Sequence, residues 1–555
     1  MVIKKEQIRM GYQTRRAFLA SAAGIALTVA APGKQTGARR MPNVLLITSD
    51  QQRKDSMGVY NAGFAHTPNL DKLAADGVVF TRAYTPHPTC TPARASILTG
   101  QYASRHGAYT IGTTTPENCL KLSSLLSTAG YHTCAVGKMH FQQVSTVGRF
   151  ESPPRIYDEQ FWRDFDGPYY GFQWTRLLNS HTSEEQAWAM RYWTWLKDHG
   201  LREADINKYF REQTGRWSLP RELHQSVFIA DHAIEVIRKH QTDERPFFLW
   251  ASFTDPHPPH VVPPPYDDMY DPNKVEYLGV RKSEFDNKPP VYRQLYESGV
   301  QGLPFNDDFG VPCADPARPE QEKKWRKFTA IHHGMVTLMD EEIGRILAAL
   351  KDSGLYEDTL IIFTADHGDY LGNHGFFEKG FPAFEEVYNL PFVVKNPGQA
   401  NAGKTSHALV GSLDIAPTVL DFAGLPIPVE IQGISQRAVF QGRATRSRES
   451  FLIENRAVQK GFYQKMLVSD RYKLVAYMGQ SYGELYDMVS DPHQYQNLWD
   501  SPRHQERKQQ MLAMICSAAG ADTRKLAKAG VEDLLATMAE QMRSEEPVQE
   551  RTSFS

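Results

Sequence analysis

The chain has 555 residues, of which 41% are hydrophobic and 23% are charged, and its formal net charge at pH 7 is −2. This length predicts a large domain together with a smaller one, because a single hydrophobic core stops growing well below this size. The balanced charge provides no overall basic field, which argues against nucleic acid as a partner. The five cysteines (90, 119, 134, 313 and 516) do not have the pattern of a disulfide framework. A single bridge between Cys119 and Cys134 would require an oxidising compartment.

Residues 1–40 have the composition of a targeting segment rather than of a folded element. A positively charged start is followed by adjacent arginines, Arg15 and Arg16, and then by an Ala-rich apolar run. This arrangement resembles a twin-arginine export signal, and the run is too short and too weakly apolar for a transmembrane helix. The alternative is an amphipathic or disordered tail. Export by the twin-arginine translocase predicts a periplasmic or secreted protein, with residues 29–31 as a candidate cleavage site.

The first predicted core element is the apolar run of residues 43–49, which ends in Asp50 and Gln51. Such a run predicts a fully buried strand of a parallel sheet. Asp50 is a candidate ligand because open α/β sheets bind ligands at the carboxyl ends of their strands, although it could also only cap the next element. Residues 67–77 then predict a capped amphipathic helix, and residues 78–80 predict a short strand.

Cys90 stands at the predicted start of a helix, in the sequence Cys-Thr-Pro-Ala-Arg. Pro92 suits the first turn of this helix, where the missing N–H has no helical partner. A helix N-terminus favours negative charge, and Arg94, on the same first turn, can face the same point. Taken alone, such a cysteine would more often be a small buried side chain.

The pattern from Cys90 to Gly100 resembles the signature of the type I sulfatases, which depend on formylglycine. The resemblance implies that a separate formylglycine-generating enzyme oxidises Cys90 to this aldehyde. In the family the hydrated aldehyde, a gem-diol, is the nucleophile. One of its hydroxyls attacks sulfur, and the other later expels sulfate by re-forming the aldehyde. Arg94 would then hold the nucleophile or a metal-bound oxygen.

The resemblance extends over roughly residues 42–500 and implies an alkaline-phosphatase-like α/β fold. This fold has a large, mostly parallel sheet flanked by helices and a smaller C-terminal subdomain with an antiparallel sheet. The corresponding division of the chain is a catalytic domain at residues 41–445 and a small-sheet subdomain with a helical tail at residues 446–555. Short strands broken by turn residues at 451–477 agree with a small antiparallel sheet.

Residues 131–137 predict another strand, with Lys138 and His140 at its end. The two residues alternate, so on an extended segment their side chains would share a face. A surface lysine near a histidine usually has no special role. The family, however, has lysine and histidine here, which implies that Lys138 contacts sulfate and that His140 is the base that deprotonates the second hydroxyl.

The stretch of residues 145–225 is rich in aromatic residues and is predicted to be irregular. It could pack over the core or shape substrate selectivity. Residues 245–253 predict the next buried strand, which leads to His257 between prolines. A histidine held rigidly in this way suits a proton donor or an anion contact, and the family pattern matches His257 better than His260. The alternative is a loop histidine that packs on Tyr266.

Asp366 and His367 follow a second buried apolar run and so repeat the design of the first. Oxygen ligands suit a hard cation such as Ca²⁺, and the imidazole also admits Mn²⁺. Many sulfatases have two acids at the first strand end and asparagine at the second, and use calcium. This chain has Gln51 in place of the second acid, and that departure also occurs in the choline-sulfatase and phosphonate-monoester-hydrolase branches. The candidate metal ligands are Asp50, Gln51, Asp366, His367 and an oxygen on the modified Cys90.

Lys379 lies in a Gly-rich loop, at the place where the family has a second sulfate-binding lysine. The alternative is that Lys379 pairs with Glu378 or only lies at the surface. The most favoured function is therefore hydrolysis of a sulfate ester, with sugar, aryl and choline-type esters all open. A phosphonate monoester or phosphodiester hydrolase with the same nucleophile is the close alternative. A scaffold protein without chemistry is disfavoured because ligand residues stand at several strand ends.

The export hypothesis predicts a specific outcome for the paired arginines. Replacing Arg15 and Arg16 together by lysine should leave the protein in the cytoplasm, because the twin-arginine translocase recognises that pair. Cell fractionation followed by immunoblotting measures the distribution. Unchanged periplasmic protein in the double variant would contradict export by this route.

Overall fold

The computed structural model describes residues 41–61, 65–111, 113–143, 149–179, 189–202, 214–298, 315–316, 318–457 and 462–518. The proposed export segment lies outside these residues and stays a prediction. The described part of the chain from Met41 onward belongs to one compact unit. None of its helices has both the length and the apolarity that crossing a bilayer requires. Cys119 and Cys134 are free thiols, so no bridge joins them.

The described chain contains both strands and helices. The strands are β1 (Asn43–Ser49), β2 (Val78–Phe80), β3 (Ala83–Tyr84), β4 (His132–Lys138), β5 (Trp174–Leu178), β6 (Thr214–Arg216), β7 (Phe247–Ser252), β8 (His260–Val262), β9 (Asp315–Pro316), β10 (Thr359–Ala365), β11 (Phe376–Phe377), β12 (Asn389–Leu390), β13 (Phe392–Lys395), β14 (Lys404–Ser406), β15 (Val410–Gly411), β16 (Ser450–Ala457), β17 (Phe462–Ser469), β18 (Tyr472–Tyr477) and β19 (Gly483–Asp487). The α-helices are α1 (Pro68–Ala75), α2 (Cys90–Thr99), α3 (Ala103–His106), α4 (Leu122–Thr128), α5 (Glu159–Asp164), α6 (Met190–Asp198), α7 (Gln225–Lys239), α8 (Pro290–Ser298), α9 (Glu322–Asp352), α10 (Glu385–Tyr388), α11 (Ile415–Phe422), α12 (Arg437–Phe440) and α13 (Gln505–Ala518).

Among the described strands, eight form the main sheet in the order β14-β2-β13-β10-β1-β7-β4-β5. Within this sheet β13 runs antiparallel to β10 and β2, and the other neighbouring pairs are parallel. The expected large, mostly parallel sheet is thereby confirmed. The strands β10, β1, β7 and β4 are consecutive neighbours, so their carboxyl ends lie at one edge of the sheet. The predicted strand-end residues therefore converge there.

The main sheet is buried on both faces. Along β1, Val44 and Leu46 belong to one hydrophobic cluster, whereas Leu45 and Ile47 belong to another. Helices α2, α4 and α11 contribute to the first cluster, and α1, α7 and α9 contribute to the second. This double cover explains why the β1 sequence is continuously apolar instead of alternating.

The stretch of residues 145–225 is more regular than its sequence predicts. Its described part contains α5, α6, the edge strand β5 and the short strand β6. The expectation of an irregular segment was wrong here because an edge strand pairs on one side only and carries polar residues such as Arg176, so its pattern is not a continuous apolar run. Trp162, Trp193 and Trp195 are buried in the two main clusters, so these aromatic residues pack over the core.

The strands β16, β17, β18 and β19 form the expected small antiparallel sheet. A third hydrophobic cluster joins this sheet to the rest of the chain and includes Tyr84, Phe384, Phe451 and Tyr477. The small sheet therefore supports the loops on the catalytic side of the main sheet. The boundary between residues 445 and 446 stays a prediction.

Gly137 in β4 precedes Lys138 and allows the strand to approach β7 closely. Its φ is +95°, and a Cβ at this position would lie 2.0 Å from the carbonyl oxygen of Ser252. We expect Gly137→Ala to lower the free energy of unfolding by roughly 2–5 kcal/mol, from backbone strain and overpacking together. Gly130→Ala is the matched control, because Gly130 has a φ of +96° and nothing within 4 Å of an added Cβ.

The control variant should lose only about 1–2 kcal/mol, the cost of the left-handed backbone alone. Urea denaturation of both variants measures the difference. Equal losses in the two variants would show that the close approach of β4 and β7 does not constrain the site.

Candidate active site

The candidate active site lies at the carboxyl edge of the main sheet. Asp50 follows β1, Cys90 begins α2, and Asp366 and His367 follow β10. Their ligand atoms all lie within 4.8 Å of one another, and all four residues are buried. The structure thus brings these distant residues together, and their role as metal ligands stays a prediction.

Cys90 lies at the centre of this cluster. Its Sγ is 3.2 Å from Nε2 of His367, 3.6 Å from Oδ1 of Asp50 and 3.6 Å from Nζ of Lys379. Burial, followed by the charge of Asp50, raises the pKa of the Cys90 thiol to about 11. The charges of Lys379 and Lys138 lower this pKa but do not outweigh these two effects, so the unmodified thiol is protonated at neutral pH.

Arg94 and Lys138 hold the two carboxylates of the site. The Nε of Arg94 donates to Asp366 Oδ2 at 2.9 Å, and its Nη2 lies 3.3 Å from Asp50 Oδ2. Nζ of Lys138 lies 2.6 Å from the same oxygen of Asp50. The guanidinium also donates to Ser252 Oγ at 2.6 Å, which fixes its orientation. The protein's own cations thus offset the repulsion between the two acids.

Lys379 and His257 enter the site from long loops. Nζ of Lys379 lies 2.6 Å from Nε2 of His257 and 2.5 Å from Oε1 of Gln51. The Nδ1 of His257 lies 2.5 Å from the carbonyl oxygen of Pro258, so a neutral ring donates there and accepts from Lys379. Lys379 is buried, whereas His257 is partly exposed. Among the predicted catalytic residues, His257 therefore lies nearest to solvent.

Gln51 is held by side chains on both sides of its amide. Its Oε1 accepts from Lys379, and its Nε2 donates to Asp369 Oδ2 at 2.5 Å. Its backbone is left-handed, with a φ of +63°, and its N–H donates to Asp366 Oδ1 at 3.1 Å. The Gln51 amide, a predicted metal ligand, thus lies next to the cluster, and its oxygen already accepts a hydrogen bond from Lys379.

Asp369 is a site residue that the sequence reasoning did not assign. It orients Gln51, and burial raises the pKa of its carboxyl to about 7. Its signal is its place in the sequence Asp366-His367-Gly368-Asp369, directly after the strand. An acid three residues after Asp366, still beside the end of the strand, is therefore recognisable from the sequence as a candidate site residue.

His140 lies beside Lys138 but not on an extended segment. Lys138 is the last residue of β4, and His140 has a φ of +54°. The alternation argument was therefore wrong, although both side chains face the same carboxylate, Asp50. Burial, followed by the charges of Lys138 and Arg94, holds the pKa of His140 well below its usual value. Neither ring nitrogen has a hydrogen-bond partner among the described residues, so the neutral ring has a free lone pair, although its lowered pKa makes it a weak base.

The donor set of the cluster suits a divalent cation. Two carboxylates and one imidazole converge, and Nδ1 of His367 lies 3.0 Å from the carbonyl oxygen of Gly368. A neutral ring that donates through Nδ1 presents Nε2 as a ligand atom. Carboxylate oxygens together with one imidazole are compatible with both Ca²⁺ and Mn²⁺.

Comparisons with known proteins agree with this geometry. The sulfatase family model matches residues 42–425, and the model of the C-terminal part of N-sulphoglucosamine sulphohydrolase matches residues 372–519. An arylsulfatase of Clostridium perfringens is 30% identical over 477 residues, which cover 84% of this chain and 92% of that protein. An N-acetylglucosamine-6-O-sulfatase of Bacteroides thetaiotaomicron is 23% identical over 521 residues, with 86% of each protein covered.

A solved structure extends the comparison to the fold. The phosphonate monoester hydrolase of Agrobacterium radiobacter superposes with a TM-score of 0.70 at 27% identity, covering 86% of this chain and 95% of that one. The family model spans the main sheet from β1 to α11 and includes each strand end that supplies the site. The chain therefore belongs to the sulfatase family, in the alkaline-phosphatase-like superfamily, and is a sulfuric ester hydrolase.

Proposed function

We propose that this enzyme hydrolyses sulfate esters with a formylglycine made from Cys90 and with a divalent cation held by Asp50, Asp366 and His367. The observation that carries the proposal is the position of the Cys90 Sγ, which lies within 3.6 Å of Lys379 and of two of the predicted metal ligands, Asp50 and His367. This sulfur marks the place of the hydroxyl groups that the modified residue would carry. Formylglycine would supply a gem-diol in which one hydroxyl attacks sulfur and the other expels sulfate as the aldehyde re-forms.

The residues around Cys90 would divide the remaining work. Lys379 would contact a sulfuryl oxygen, and His257 would pass a proton, received at Nε2 from Lys379 Nζ, to the departing ester oxygen. His140, neutral and unpartnered among the described residues, would take the proton of the second hydroxyl. Lys138, which holds Asp50, would also face a sulfuryl oxygen. Arg94 would keep both carboxylates in place.

The metal would be bound by Asp50, Asp366 and His367, with Gln51 as a neutral oxygen donor beside them. When bound, a divalent cation would polarise the sulfuryl group and stabilise charge on its oxygens. The excess of oxygen donors favours Ca²⁺, and His367 keeps Mn²⁺ as the alternative.

A phosphonate monoester or phosphodiester hydrolase with the same nucleophile is the second candidate. It is favoured by the combination of Gln51 and His367 and by the similarity to a phosphonate monoester hydrolase structure. Rates on 4-nitrophenyl sulfate and on an aryl phosphonate monoester distinguish the two functions. We expect a higher kcat/KM for the sulfate, and the reverse order would favour the second candidate. Sulfated saccharides join aryl sulfates as substrates to test, because relatives are named for both classes.

The proposed partners act before catalysis. A formylglycine-generating enzyme would modify Cys90, and the twin-arginine translocase would export the product to the periplasm or outside the cell. Because that translocase carries folded proteins, modification and metal loading could both precede export. The adjacent arginines at positions 15 and 16 support this order.

The modification of Cys90 has a direct readout. We expect the tryptic peptide that contains Cys90 to be about 18 Da lighter than its sequence requires, since an aldehyde replaces the thiol. Cys90→Ala should keep the fold and lose activity, and Cys90→Ser should retain little, because an alcohol cannot expel sulfate by forming an aldehyde. Peptide mass spectrometry and steady-state rates measure both effects. An unmodified peptide from a fully active enzyme would refute the assignment.

The metal hypothesis predicts a joint loss of ion and rate. Asp366→Asn keeps the shape of the side chain but removes a carboxylate, so metal occupancy should fall and kcat should drop by about 10²–10³. His367→Asn should shift the preference from Mn²⁺ toward Ca²⁺, because oxygen replaces nitrogen. Asp358→Asn, at the exposed opposite end of β10, is the control. Elemental analysis beside rates is the measurement, and full occupancy in Asp366→Asn would contradict the site.

A further inference from the structure

The connection between β10 and α10, here called the loop, includes the short strand β11 and carries Lys379, and His374 forms its tip. Tyr370 N donates to the carbonyl oxygen of Glu378 at 2.8 Å, which ties the two arms of the loop together. His374 has a left-handed backbone, with a φ of +58°, and its side chain is fully buried. Because Lys379 directly follows Glu378, the position of its backbone depends on how the tip is anchored.

The anchor of this loop is an ion cluster around the His374 ring. Nδ1 lies 2.5 Å from Oε1 of Glu284, and Nε2 lies 3.4 Å from Oε1 of Glu386. The ring stacks on Phe384 with a centroid distance of 3.7 Å and an interplanar angle of 2°. Glu386 also accepts a hydrogen bond from Asn373 Nδ2 at 2.9 Å. Three separate segments of the chain therefore meet at one imidazole.

The charges around the ring favour its doubly protonated form. Burial alone would lower the pKa of His374, but the carboxylates of Glu386 and Glu284 outweigh burial and raise that pKa above its usual value. The charge of His374, assisted by Arg53, outweighs burial at Glu386 and holds the pKa of this carboxyl far below its usual range. The other charged or titratable groups packed against the cluster are Tyr495 beside the ring, Arg281 over Tyr495 and Lys288 over Phe384.

Small movements of this loop would disturb the active site. Nζ of Lys379 contacts His257 at 2.6 Å and Gln51 at 2.5 Å, both near the short end of the hydrogen-bonding range. A displacement of about 1 Å would break both contacts, and misplacements of that size can cost on the order of 10² in rate.

We propose that His374, as an imidazolium shared by Glu284 and Glu386, is a positioning residue that holds Lys379 in register with the sulfuryl group of the substrate. The proposal rests on the proposed function, in which Lys379 contacts that group. His374 itself contacts no predicted substrate-binding atom; it acts through the loop.

A double-mutant cycle tests whether His374 acts through Lys379. We expect His374→Gln to lower kcat on 4-nitrophenyl sulfate about ten- to a hundredfold in the otherwise unchanged enzyme. In a Lys379→Ala background the same change should have less than a threefold effect, because the group that it positions is already missing. An equal loss in both backgrounds would overturn the positioning role. If Lys379→Ala alone keeps full activity, the proposed function of Lys379 fails instead.

Glu284→Gln provides a second test that keeps shape and hydrogen-bonding capacity. An imidazolium with a raised pKa holds the loop below that pKa and releases it as the pH rises through it. Removing the Glu284 carboxylate should therefore move the high-pH fall of kcat to lower pH. Asp286→Asn is the matched control, since this exposed acid pairs with Arg293 outside the cluster.

The control should leave the pH profile of kcat unchanged. A profile that is the same in wild type and Glu284→Gln would overturn the proposal, because a neutral histidine would then hold the loop equally well. Thermal unfolding of each variant separates a loss of positioning from a loss of folded protein. If His374→Gln does not fold, the Glu284→Gln profile alone decides.

Discussion

The site depends on one buried interaction, the bridge that Arg94 makes between Asp50 and Asp366. The β1–β10 register pairs Ser49 with Ala365, so the following acids emerge side by side from neighbouring parallel strands. The Arg94 side chain is fully buried, as are both carboxylates. Removing one partner from such a buried ion pair typically costs about 3–5 kcal/mol, because the other charge is left without compensation.

This bridge also positions the proposed nucleophile. Arg94 lies one helical turn after Cys90 on α2, so the contact that holds the two acids fixes the start of the helix as well. A hydrogen bond from Arg94 to Ser252, at the end of β7, ties the helix to a third strand. The helix start, the acids and the sheet edge therefore form one rigid unit. The loops that carry His257 and Lys379 add the remaining side chains of the site to this unit.

The sequence predicted the parts of the site that depend on local pattern. Apolar runs that end in acids located Asp50 and Asp366, because parallel strands share an edge. It did not predict that Lys138 would pair with Asp50, or that Glu284 would reach His374 from a distant excursion. Such contacts depend on how long connections fold over the sheet, which hydrophobic periodicity does not encode. The edge strand β5 was not predicted for a related reason, because its burial is set by neighbours that are distant in sequence.

The charge balance explains why sulfate and phosphonate esters are close alternatives for this architecture. Arg94 and Lys138 pair with the two carboxylates and Lys379 lies 3.6 Å from Cys90 Sγ, so the charges of the protein nearly balance before any metal is considered. Sulfate monoesters, phosphonate monoesters and phosphodiesters all carry a single negative charge on a tetrahedral group. Net charge therefore cannot separate them, and selectivity must come from the placement of Lys379 and His257 against particular oxygens. A small change in the loop that carries Lys379 can therefore alter selectivity without changing any residue at the strand ends.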